Sequence, residues 1–206
     1  ETGEENFPNA TETGWASMLT FPRIITVDPS NSTRVCFFPI DEIKSLWLPN
    51  PMNRSMLLEP GQTVATEAAG LQLDLDVSFK LPSARSDTYK FGVNVFASKA
   101  NSSKATAITV EAGPTEDGKP VKVTVSHTTT TQGVFELGSN ETEVTLRVLV
   151  DRPIVEVFAQ GGRGALVAAD KIFDLSNTSV HLFNAGASAV SVNVSMFRMG
   201  CGWASS

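Results

Sequence analysis

Between residues 71 and 81 the chain reads LQLDLDVSFKL, with Leu71, Leu73, Leu75, Val77, Phe79 and Leu81 at alternate positions. Gln72, Asp74, Asp76, Ser78 and Lys80 fill the gaps. Successive side chains of an extended strand point to opposite faces, so this spacing makes a half-buried strand with one wet face. VKVTVS (121–126), VTLRVLV (144–150) and VSVNVSMF (190–197) repeat the pattern. Shorter candidates are PRIITVD (22–28), RVCFFPI (34–40), KFGVNVFA (90–97), ATAITVEA (105–112), IVEVFA (154–159), GALVAAD (164–170) and VHLFNA (180–185). Turn residues separate them at Asp28-Pro29, Glu59-Pro60-Gly61, Gly113-Pro114, Asp117-Gly118, Gly161-Gly162 and Asn184-Ala185-Gly186. The only helical candidate is DEIKSL (41–46), one or two turns at most. About ten strands at short spacing with no long helix predict an all-β fold, a two-sheet antiparallel β-sandwich of the concanavalin-like jelly-roll type. No repeat or linker divides the chain. The expected layout is a lead-in at 1–14, a single sandwich domain at 15–200 and a tail at 201–206.

At 206 residues such a domain buries roughly 70% of its unfolded surface and needs no metal to hold it. A formal charge of −6 argues against a nucleic-acid or anionic-membrane surface. No run of 18 apolar residues is present to insert in a membrane. Asn-X-Ser/Thr sequons occur at Asn9, Asn31, Asn53, Asn101, Asn140, Asn177 and Asn193, mostly in expected turns. Their number points to N-glycosylation in the secretory pathway, hence to a secreted, extracellular or cell-surface chain; the blander reading is that most are unused. Asn193, between Val192 and Val194, falls on the polar parity of its strand. Glu1-Thr2-Gly3 reads as a remnant of cloning after removal of a leader and is set aside. Cys36 and Cys201, near the two ends of the domain, fit one disulfide in an oxidising compartment, with two free thiols as the alternative.

One stretch, LRVLVDRPIVEVFAQGGRGAL (146–166), sets Asp151, Arg152 and Glu156 among apolar residues, two strands back to back around Pro153. Asp151 and Glu156 are either a carboxylate pair or structural polar groups. Five positions apart, they face opposite sides of a continuous strand, although a bend at Pro153 would change that. In the structural reading Asp151 takes up backbone donors at the strand end, and Arg152 and Glu156 lie on polar faces or pair together. His127 and His181 are the only histidines, no Gly-X-Ser-X-Gly elbow or phosphate-cradling glycine motif occurs, and no metal or cofactor site is expected. Glu116 and Asp117 are at most a weak calcium loop, and Thr128 to Thr131 read as a solvated loop. Trp15, Trp47 and Trp203 suit sugar stacking where exposed and core or inter-module packing otherwise.

GWASMLTFPRIITVDP (14–29) followed by RVCFFPIDEIKSL (34–46) resembles the junction in glycoside hydrolase family 32, the invertases and fructanases. There a last propeller strand with a Leu-Pro-Arg-like segment leads into a first sandwich strand ending in a Pro-Val-Glu-Glu-Ile-like turn. The 146–166 stretch looks like the hallmark of the family's C-terminal β-sandwich module, and the likeness covers roughly residues 14 to 198. The resemblance implies that the chemistry belongs to an N-terminal five-bladed propeller. Retaining hydrolysis needs two carboxyl groups about 5 Å apart. The family's Trp-Met-Asn-Asp-Pro-Asn-Gly-like, Arg-Asp-Pro and Glu-Cys motifs do not occur here; LPNPMNRS (48–55) has no Asp, and Asp151-Arg152-Pro153 has the letters in the wrong order. No catalytic residue is therefore assigned.

Two functions are expected to compete. In one, the chain is a non-catalytic module supporting a catalytic propeller, with a module-docking or sugar-stacking surface at Trp15, Met18, Phe21 and Trp47. In the other, it is a free-standing recognition or adhesion glycoprotein binding a carbohydrate or a protein. A third and weaker expectation is a hydrolase with an unfamiliar site.

Overall fold

A computed structural model describes residues 19–82, 86–99, 105–116, 119–128, 132–138, 141–169 and 176–201. Among them lie fourteen strands: β1 Arg23–Asp28, β2 Asn31–Pro39, β3 Met52–Leu58, β4 Thr63–Ala69, β5 Gln72–Lys80, β6 Tyr89–Ala97 and β7 Thr106–Ala112, then β8 Val121–His127, β9 Gln132–Leu137, β10 Glu143–Asp151, β11 Ile154–Ala159, β12 Gly164–Ala169, β13 Ser179–Asn184 and β14 Val190–Arg198. The expected helical segment is a 3-10 helix, Asp41–Leu46, and a second short 3-10 turn spans Gln160–Gly162.

The strands form two antiparallel six-stranded sheets, in the orders β12-β11-β10-β5-β14-β3 and β4-β13-β6-β7-β8-β9. The fold is the all-β sandwich that the alternation predicts. The odd residues of β5, Leu73 through Phe79, turn into the space between the sheets, where Phe79 stacks on Phe91 of β6 at 4.3 Å between ring centroids. Val144, Leu146, Val148 and Val150 of β10 and Val190, Val192 and Val194 of β14 complete that layer from the first sheet. Each such side chain stabilises the fold by roughly 1.5–3 kcal/mol of apolar burial. Asn184 fixes the predicted turn between β13 and β14: its amide donates to the carbonyls of Leu58 and Ser188, and its oxygen accepts from the Gly186 N–H.

Two expectations change here. The segment RVCFFPI is not a sandwich strand: as part of β2 it pairs only with β1, in a separate two-stranded sheet. Cys36 and Cys201 are both free, so the expected disulfide is not formed. Cys36 is buried on β2 opposite Thr26, near Asp28 and Arg163, whereas exposed Cys201 follows Gly200, whose N–H is bonded to Leu46. Proximity to the two chain ends does not place both thiols at one spot.

The outer face of the first sheet, a candidate functional site

The even residues of β5 and their partners point away from the main core, and the chain covers half of that outer face itself. A second apolar cluster of Ile43, Leu149, Phe158 and Met199 forms there, with Phe21, Phe38, Leu46 and Trp47 packed against it. The β1–β2 hairpin and the 3-10 helix thus lie over β10 and β11. Beneath them Asp74 and Arg147 form a buried ion pair with two contacts, Nε to Oδ1 at 3.0 Å and Nη2 to Oδ2 at 2.8 Å. The Trp47 indole N–H donates to the same Oδ2 at 2.8 Å, and its ring stacks on Phe197. Burial works against the Arg147 charge, but the bonds and charge of Asp74 more than offset this and hold its pKa above the ordinary value.

Asp151 and Glu156 are placed differently from the parity expectation. The Arg152-Pro153 turn folds β10 back on β11, so Asp151 stands opposite Ile154 and Glu156 opposite Leu149. Both carboxylates therefore reach the same face and line one small cavity of about 120 Å³ with Phe21 and Pro22. Their surroundings differ. Glu156 is only 2% exposed; one oxygen accepts the Phe21 N–H at 2.9 Å and the other binds the Arg23 guanidinium at 2.6 Å. Both its oxygens are committed to holding the hairpin. The pairing with Arg152 does not form, because Arg152 is exposed in the turn. Asp151 is half-buried; burial raises its pKa, and a bond with the Gln72 side chain only partly opposes the rise.

A third anchor holds the far end of the hairpin. Asp28, 1% exposed, accepts the N–H and hydroxyl of Ser30 at Oδ1, while Oδ2 faces Arg163 Nε at 3.1 Å and Arg34 at 3.9 Å. Burial alone would raise its pKa; the Ser30 bonds and the two arginines outweigh it and hold the carboxyl below the ordinary value. Arg163 also reaches Glu141 at 2.6 Å. Gly162, at φ 95°, passes so close to β2 that a Cβ there would meet the Phe37 carbonyl oxygen at 2.3 Å. Only glycine satisfies both the backbone angle and the space.

The hairpin, clamped on one side, leaves its other side bare. Ile25 pairs across to Phe37 and Val27 to Val35, and these four are 65%, 36%, 58% and 48% exposed. Phe21 and Trp47, expected on a docking or sugar-stacking surface, instead pack on the chain's own second cluster. Trp15, Met18 and Trp203 lie outside the described residues, as do Asn9, Asn101, Asn140 and Asp117. Hydrophobicity near the junction signalled a docking face; the register of β1 against β2, which the sequence does not display, decides which residues form it.

The other half of the outer face is open. A groove of about 430 Å³ crosses β3, β14, β5 and β10, floored by short polar side chains including Asn53, Ser55, Asp76, Ser78, Asn193 and Ser195, with Phe38 and Phe158 at its end. Asn193 is exposed on the polar parity of β14, as expected. Asn31 begins β2 with its oxygen accepting from Thr33, and Asn177 is half-exposed just ahead of β13. Among the described residues, His127 and His181 are buried on separate strands, and burial lowers the pKa of His181.

Two six-stranded antiparallel sheets, with a hairpin clamped over the outer face of one, define the class as a β-sandwich. The comparisons agree on the class. The family model described as "Glycosyl hydrolases family 32 C terminal" matches residues 43–197, and the chain belongs to that family. The match begins beyond β1 and β2. An acid beta-fructofuranosidase of Solanum lycopersicum is 25% identical over 224 residues, covering 90% of this chain and 35% of the relative. A "Beta-fructofuranosidase, cell wall isozyme" of Zea mays is 25% identical over 234 residues, covering 92% and 39%. The crystal structure of fructan 1-exohydrolase IIa from Cichorium intybus superposes with a TM-score of 0.80 at 23% identity, covering 92% of this chain and 42% of that one; at this identity the likeness is one of fold. The chain thus spans between a third and a half of the length of these relatives.

Proposed function

We propose that this chain is the non-catalytic sandwich module of a secreted, invertase-like β-fructofuranosidase, and that it supports a catalytic propeller lying elsewhere in a longer protein. The observation that carries this reading is the bare apolar side of the hairpin. Ile25, Val27, Val35 and Phe37 form a contiguous exposed stripe on a sheet of only two strands. Such a stripe marks an interaction surface. Its occupant is the rest of such a protein: the relatives carry well over half their residues beyond the part matched here, and the matching family model is a C-terminal one. The secretory compartment is supported by the seven sequons and by the cell-wall relative. No helix of the described residues is long and apolar enough to cross a membrane.

The experiment pairs this chain with the full protein from the natural reading frame. Ile25→Asp with Phe37→Asp should leave the melting of this chain alone nearly unchanged. In the full protein the same changes should separate the modules to limited proteolysis. An unaltered proteolysis pattern would remove the docking surface, and a reading frame without a propeller would remove the proposal.

A second reading, a free-standing recognition or adhesion glycoprotein, draws on the open polar groove and the sequons. Glycan-array and partner pull-down binding above background, lost on Asp76→Ala, would favour it.

A further inference from the structure

The groove on the open half of the outer face has an unusual centre. Asn193 lies on β14, which is flanked on both sides by strands of the sheet. Asparagine is depleted from strands, and bulky residues ordinarily pack around a mid-sheet position. Here the cross-strand partners of Asn193 are Ser55 on β3 and Ser78 on β5, and its neighbours along the same face of β14 are Ser191 and Ser195. Serine stands on all four sides. The face is cleared of bulk around one exposed amide, and that amide belongs to the sequon Asn193-Val194-Ser195. The clearing opens into the 430 Å³ groove, a volume typical of small-ligand sites and suited to a sugar residue or two. Asp76 and Thr145 supply further polar groups along it, and the half-buried Phe38 lies at its end.

We propose that Asn193 carries an N-linked glycan whose first sugars lie in this groove, so that the groove is filled by the chain's own modification. Asn53, the other sequon residue in the groove, is on the edge strand β3, and its oxygen already accepts the Ser195 hydroxyl at 2.7 Å. A glycan there would project off the rim of the sheet. The consequence for function is that this half of the face is closed to free saccharides and to docking, leaving the hairpin as the working surface.

This inference rests on the secretory reading above. Its test is to secrete the chain from a eukaryotic host, map its glycopeptides by mass spectrometry, and time release by peptide-N-glycosidase from folded and from denatured protein. Asn193 should be occupied, and its glycan should leave the folded chain at least about tenfold more slowly than the denatured one, since release must await local opening. A glycan at Asn31, on the hairpin turn, serves as the control and should leave both at similar rates. Asn193→Gln should still fold, lose one glycan in mass, and speed amide exchange in β3. Asn31 occupied with Asn193 bare overturns this inference alone. A secreted chain bare at every sequon overturns it together with the secretory reading. Equal release of the Asn193 glycan from folded and denatured chain overturns its placement in the groove.

Discussion

The two halves of the outer face are built from one strand pair and put to opposite uses. On β5 and β10, Asp74 and Arg147 are buried under the hairpin, whereas Asp76 and Thr145 on the same two strands open on the groove. In the covered half the fully buried carboxylates each face an arginine: Asp74 with Arg147, Glu156 with Arg23, Asp28 with Arg163. In the open half the side chains are short and solvated. Burial, not residue type, separates a carboxylate that anchors from one that merely faces water.

That contrast can be broken, beginning with the covered half. Arg147→Ala strands the Asp74 carboxylate without its counter-charge and should cost about 3–5 kcal/mol, read as a shift in the urea midpoint. Replacing both partners with apolar residues of similar volume should recover most of that loss. Glu156→Gln removes a charge-assisted bond and should cost about 1.5–3 kcal/mol, with faster hydrogen exchange confined to β1 and β2. Gly162→Ala forces a Cβ against the Phe37 carbonyl at a positive φ and should cost about 1–3 kcal/mol, loosening the same hairpin. In the open half the sign reverses. Asp76 is exposed on the groove, yet partial loss of water to the surrounding protein, and then the charge of Asp74, raise its pKa and outweigh the pull of Arg147. A carboxyl whose folded pKa is raised favours folding most below its unfolded pKa of about 3.9 and loses that contribution as pH rises through the folded value. Asp76→Asn should therefore raise the melting temperature slightly at pH 7, and the gain should vanish as pH falls below that of the free carboxyl. A loss at pH 7 as large as that of Arg147→Ala would erase the distinction between the halves.

What the sequence showed and what it hid divide along the same physical lines. The interior strands were legible because both neighbours enforce alternation, as in β5, β10 and β14. The three unread strands, β3, β4 and β9, are all edges. An edge strand has less apolar surface to bury and is commonly interrupted by charge. In β3 Arg54 breaks the run of Met52, Met56 and Leu58, and in β9 Val134 faces solvent while Phe135 and Leu137 face the core. The absence of catalytic motifs was readable, but the fate of Asp151 and Glu156 was not. Strand parity applies within one strand, and a turn between the two residues restored them to one face. The clamp pairs Arg23–Glu156 and Asp28–Arg163 could not be read locally, because the two partners of each stand more than a hundred positions apart; Asp28 signalled only the turn it begins.

The claim under all of this is that the polypeptide is scaffold and cleaves no glycoside by itself. The direct measurement is fructose release from sucrose and from inulin by this chain alone, purified free of host invertase. The account predicts no release above the buffer blank. Steady release that disappears on Asp151→Asn or Glu156→Gln would contradict it.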